Sequence, residues 1–102
     1  MIIIGFFIYY FFIKNFYYGV ALFNSTNDTV ENNVFINNTR GLAFGSSIIP
    51  SLNNVAKSNT FLNNQIGLLI PAPYSGNNNQ FIHNNFISNV IQAQFTTSSN
   101  IW

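Results

Sequence analysis

Three stretches of this chain align without a gap, and their spacing restricts the fold more than any other feature. They are Asn27 to Asn38, Asn53 to Asn64 and Asn78 to Asn89, at offsets of 26 and then 25 residues. Asn33, Asn59 and Asn84 share one column, and Phe35, Phe61 and Phe86 another. Ile36, Leu62 and Ile87 follow, and Asn38, Asn64 and Asn89 close the segment. Beyond it, Gly41-Leu42-Ala43-Phe44 matches Gly67-Leu68-Leu69-Ile70, and the third copy reads Gln92-Ala93-Gln94-Phe95. An earlier half-copy reads Phe12-Ile13-Lys14-Asn15 and then Gly19-Val20-Ala21-Leu22. A period of this length means a solenoid, in which each repeat is one unit that stacks on the next.

Within each copy the apolar runs are too short and too aperiodic for an amphipathic helix. Ile, Val, Phe and Thr favour strands. Each copy therefore reads as short strands joined by tight polar turns. Length varies only after the glycine strand, at Phe23–Thr26, Gly45–Leu52 and Pro71–Asn77. Pro50, Pro71 and Pro73 lie there and stop strand continuation. The expected fold is all-β: a right-handed, single-stranded parallel β-helix over residues 12–102, with about three to four coils of 22–26 residues. Rungs about 4.8 Å apart put equal columns directly over one another. Phe35, Phe61 and Phe86 then form an interior stack. Val30, Ala56 and Phe81 form a second inward column, and Leu42, Leu68 and Ala93 a third.

The asparagines need a separate reason. Of 102 residues 19 are Asn and only five are charged, so amides must supply most of the polar surface. Asn tolerates the left-handed conformation of turns. Its amide both donates and accepts, so Asn33, Asn59 and Asn84, and likewise Asn38, Asn64 and Asn89, can bond rung to rung as ladders. Gly41 and Gly67 supply either positive φ or room for a close approach. The column of Ile13, Ile36, Leu62 and Ile87 follows the inward phenylalanine. Alternation points it outward as an apolar stripe that a neighbour would cover, unless a turn takes both residues inside.

Residues 1–23 form an apolar segment broken by Lys14 and Asn15. It reads either as a first partial coil or as a membrane or export segment, since about 20 apolar residues are enough to span a bilayer. A net charge of +1 without a basic patch argues against nucleic acid as a partner. With no cysteine, disulfides and thiolate chemistry are excluded.

The motif Asn-x-Phe-Ile-x-Asn followed by Gly-Leu-x-Phe resembles the repeat of NosD-like proteins, also known as periplasmic copper-binding or carbohydrate-binding and sugar-hydrolase repeats. The run from Tyr18-Gly19-Val20-Ala21-Leu22 to Val30 is similar to their Gly-Ile-x-Leu…Ser-x-Asn-Asn-x-Ile step. Asn100-Ile101-Trp102 resembles the start of a Trp-containing closing element in archaeal members. The resemblance covers residues 12–102. It implies a pectate-lyase-like solenoid belonging to an extracellular, cell-surface or periplasmic protein. On this reading the chain is a fragment of a longer archaeal or bacterial surface protein.

Copper, implied by the family, finds little in the residues. His83 is the sole histidine and Met1 the sole methionine, whereas copper sites favour several such ligands. His83 shares its column with Asn32 and Ser58 and reads as a turn residue. Glycoside cleavage needs a pair of carboxylates flanking the bond. Asp28 aligns with Asn54 and Asn79 as a turn-former, and Glu31 aligns with Lys57 as an outward inter-rung pair. No catalytic, cofactor or metal residues are therefore assigned. The sequons at Asn24, Asn27 and Asn37 carry weight only in an exported chain. The expected function is a non-enzymatic scaffold or carbohydrate-contacting module, with Tyr74 and the loops at 45–52 and 71–77 as candidate contacts. Its other expected partners are neighbouring β-helix coils or domains, and a membrane through residues 1–23. The alternatives are a copper-delivery accessory protein and a piece of a polysaccharide-active enzyme.

Overall fold

A computed structural model describes residues 11–44, 51–70 and 78–95, together with the backbone of Ile2–Ile3 and Phe7–Tyr9. Among the described residues, thirteen strands are arranged in three parallel sheets. The five-stranded sheet runs β1 (Ile2–Ile3), β4 (Tyr18–Leu22), β7 (Arg40–Phe44), β10 (Ile66–Ile70), β13 (Ile91–Phe95). One four-stranded sheet holds β2 (Phe7–Tyr9), β5 (Thr29–Glu31), β8 (Val55–Lys57) and β11 (Gln80–Ile82). The other holds β3 (Phe12–Lys14), β6 (Val34–Ile36), β9 (Thr60–Leu62) and β12 (Asn85–Ile87). Each rung contributes one strand to each sheet, so the chain is a parallel β-helix.

Registers follow the columns read from sequence. Phe35 pairs with Phe61 and Phe61 with Phe86. Val30, Ala56 and Phe81 are in register, as are Leu42, Leu68 and Ala93. The first rung differs by one residue from the half-copy read from sequence. Ile13, not Phe12, lies beside Phe35, and Lys14 lies beside Ile36. Ile13 is buried, whereas Phe12 is 75% exposed. Between rungs the ladder contacts span 22 residues at the start and 26 or 25 later. The first rung is thus shorter, in keeping with its short Phe23–Thr26 connection.

The strands Val34-Phe35-Ile36 and Thr60-Phe61-Leu62 bury only their middle residue, and in Asn85-Phe86-Ile87 the middle residue is half-buried. Ile36 and Leu62 are half-buried and Ile87 is 46% exposed, so that column faces outward. Ile13, Val30, Phe35, Ala56, Phe61 and Phe81 meet Val20, Leu22, Leu42, Phe44, Leu68 and Ile70 in one core. Ring centroids of Phe35 and Phe61 are 4.8 Å apart at 7°, and those of Phe61 and Phe86 are 4.9 Å apart at 10°. These separations equal the strand spacing. The backbone register therefore sets the stack, while Phe44 and Phe81, on different sheets, take the edge-to-face geometry at 5.1 Å.

The glycine column serves close approach. None of Gly19, Gly41 and Gly67 has a positive φ. A Cβ on Gly41 would lie 2.5 Å from the Gly67 carbonyl oxygen and 2.9 Å from Phe61 Cδ1. Both obstacles are fixed by the next rung. Gly41→Ala is expected to lower stability by about 3 kcal/mol, as overpacking of a rigid site does. A urea-unfolding midpoint equal to that of the parent would contradict this account.

Candidate functional site

The corners between strands repeat a two-residue device. Its first residue takes a left-handed φ: Asn32 57°, Asn37 55°, Asn53 58°, Ser58 55°, Asn63 55°, Asn78 57°, His83 54° and Ser88 53°. The second residue turns its side chain into the stack. Asn33, Asn38, Asn54, Asn59, Asn64, Asn79 and Asn89 are buried, and Asn84 is half-buried. The paired asparagines of the sequence therefore do different work. The first satisfies the backbone turn, and the second satisfies the hydrogen bonds that the turn leaves open.

Asn64 uses its whole amide. Its Nδ2 donates to the Phe35 carbonyl at 2.9 Å and to Asn89 Oδ1 at 2.9 Å. Its Oδ1 accepts from the Asn38 backbone N–H at 2.9 Å and from Asn38 Nδ2 at 3.1 Å. Asn59 repeats the pattern with Val30, Asn84 and Asn33. A third ladder, which the sequence reading treated only as turn-formers, joins Asp28, Asn54 and Asn79. At the first rung the Asn33 and Asn38 columns end in phenylalanine. Phe11 N–H donates to Asn33 Oδ1 and Phe16 N–H to Asn38 Oδ1, both at 2.9 Å.

Asp28 heads the third ladder without an amide to give. It is buried, and its Oδ2 has no hydrogen-bond partner. Asp28→Asn would add a donor above Asn54 Oδ1, and we expect it to raise stability by about 1 kcal/mol. Asn64→Ala strips partners from Asn38, Phe35 and Asn89 and is expected to cost roughly 3 kcal/mol or more. Urea unfolding of both variants checks the two signs; an Asp28→Asn protein weaker than the parent would refute the ladder account of that position.

Three further polar side chains, Glu31, Lys57 and His83, lie on the outside. Glu31 and Lys57 approach to 3.3 Å across adjacent rungs, an exposed pair worth about 1 kcal/mol at most. His83 is an exposed corner residue. Among the described residues no cluster of three His, Cys, Asp or Glu side chains exists, and no helix is long and apolar enough to cross a membrane. Tyr74 and most of its neighbouring loops lie outside the described residues. Ser51 and Leu52 are described: Ser51 is buried and donates through Oγ to the Leu22 carbonyl at 2.6 Å.

The outer face of the sheet β3-β6-β9-β12 supplies the candidate surface. An open depression of about 290 Å³ is lined by Phe11, Phe12, Asn32, Asn33, Val34, Ser58 and Thr60. It combines exposed aromatic rings with amide and hydroxyl groups. At the other end of β3, Phe16 and Tyr17 are 49% and 60% exposed. The sequence places ligand contacts in the loops and an apolar stripe on this face; it does not single out Phe11 and Phe12, because matching Phe12 to Phe35 turns Phe12 inward.

A family model described as periplasmic copper-binding protein (NosD) matches residues 11–102, nearly the whole chain and all of its described corners. The chain belongs to the NosD family. No curated protein and no solved structure matches it. The family is periplasmic by its description. The donor set here does not fit copper. One exposed imidazole on a left-handed corner, without cysteine and without a second histidine, gives a copper ion one good ligand.

Proposed function

We propose that this NosD-family chain is a non-enzymatic β-helix module that works outside the cytoplasm, as a rigid scaffold presenting a carbohydrate-contacting face. The observation that carries the reading is the depression beside β3. Flat apolar rings at Phe11 and Phe12 stand next to the amide of Asn32 and the hydroxyls of Ser58 and Thr60. A sugar ring offers the complementary surfaces: an apolar face for the rings, and hydroxyls that exchange hydrogen bonds with amides and alcohols.

The placement of the two acids supports a binding role over hydrolysis. Asp28 is buried in a ladder and Glu31 is engaged by Lys57, so neither stands across a cleft from a second carboxylate as glycoside cleavage requires. The periplasmic description of the family supports a location where glycans are met.

Affinity electrophoresis in gels containing neutral and acidic polysaccharides tests the reading, with retardation expected in at least one. Phe12→Ala should weaken retention roughly fivefold, the loss of about 1 kcal/mol from one aromatic contact. Unretarded migration in every gel would remove the carbohydrate part of the proposal. Copper distinguishes the other family role. Titration against a chelating competitor should show only weak binding, of the strength of a lone imidazole, that disappears in His83→Ala. A tight site that survives that substitution would instead favour copper delivery.

A further inference from the structure

Arg40 begins β7 and turns its guanidinium onto the rings of Tyr17 and Tyr18, 4.6 and 5.3 Å from their centroids. Those rings meet edge to face at 5.0 Å, and Tyr18 meets Phe23 in the same geometry at 5.9 Å. The cation is thus fixed by aromatic faces. Its hydrogen bonds are not made: Nε and Nη1 are buried and neither has a partner. Nor is its charge balanced by a side-chain acid. The chain has two, of which Glu31 pairs with Lys57 and Asp28 is buried in the third ladder.

A guanidinium is a planar fork of five donors that matches a carboxylate with two parallel bonds. Stacking on tyrosine pre-organises the fork, and leaving donors unpaired in a covered site is costly. The group that matches such a fork is an oxyanion. Tyr17 is the nearer ring and is itself 60% exposed. A sugar lying on the exposed part of the Tyr17 ring would bring its carboxylate beside the guanidinium.

We propose that Arg40, Tyr17 and Tyr18 form a recognition site for a carboxylate-bearing sugar, with Arg40 pairing the carboxylate and Tyr17 stacking on the sugar ring. This deepens, and rests on, the carbohydrate-contacting reading. A single fixed cation suits a single carboxylate. An anionic membrane surface is held by clusters of basic residues, each adding about 1 kcal/mol, and the chain has a net charge of only +1.

Calorimetry of the full chain with oligogalacturonate, oligomannuronate and oligoglucuronate, each compared with its methyl ester, tests the proposal. At least one acid form should bind about tenfold more tightly than its ester, the size of one charge-assisted hydrogen bond. Arg40→Gln should abolish that preference while leaving ester binding intact. Arg40→Lys, which keeps the charge and loses the fork, should retain only part of it and serves where the glutamine variant does not fold. Tyr17→Ala should weaken acid and ester together. Equal binding of every acid and its ester would overturn the inference while leaving the carbohydrate reading standing; absence of binding to any glycan would remove both. Full competition by inorganic phosphate, or by vesicles containing phosphatidylglycerol, at the concentration of the sugar would also overturn it, by showing an unselective anion site or a lipid surface.

Discussion

Everything in this protein depends on the side-chain amide of a buried asparagine bonding in four directions at once. A parallel β-helix must turn three times per rung, and each turn carries backbone N–H and C=O groups away from the sheets. In a stack those groups are covered by the rungs above and below, so water cannot reach them. Asn64 resolves this at one corner by reaching back to the Phe35 carbonyl, accepting from the Asn38 backbone and joining Asn38 and Asn89 side chain to side chain. An aliphatic residue would fill the space and leave the bonds unmade. Serine is too short to bridge both neighbours in the same way. The amide is the smallest neutral group with two donors and two acceptor positions in one plane.

That requirement explains why a chain with five charges is viable. Its ladder amides are directed inward, and the one charged side chain among them, Asp28, leaves an oxygen without a partner. It explains the aromatic stack as well. Once the amides fix the rungs at strand spacing, one ring above another has a single outcome, and Phe35, Phe61 and Phe86 lie nearly parallel at 4.8 and 4.9 Å. The glycine column is the complementary device on the five-stranded sheet. There the rungs come so close that a side-chain carbon would strike the neighbouring carbonyl.

The columns were legible in the sequence because a stacked solenoid converts one-dimensional periodicity directly into contact. Phe35 over Phe61 and Glu31 beside Lys57 needed only the offset. Three features were not legible for physical reasons. The two asparagines of a pair look alike, and only the backbone shows that Asn63 bends the chain while Asn64 bonds the stack. The first rung is out of phase because its ladder positions hold Phe11 and Phe16, so matching phenylalanine to phenylalanine shifted the register and hid the burial of Ile13. The partnerless guanidinium of Arg40 belongs to no repeat column of charge, since Tyr18 and Ile66 occupy the same position on the flanking rungs.

Departures from the repeat are therefore where function should be sought in such a fold. A column that recurs in every rung is explained by stacking and carries no information about a ligand. Phe11, Phe12 and Phe16 break the asparagine and phenylalanine pattern and stand exposed. Tyr18 and Arg40 break the column that later rungs fill with isoleucine at positions 66 and 91, and Tyr17 lies beside them. Both groups of exceptions fall on the first two rungs, on either side of β3. A uniform solenoid has no reason to gather aromatic rings and an unpaired cation at one place, and their location agrees with a surface built on the scaffold to meet a partner.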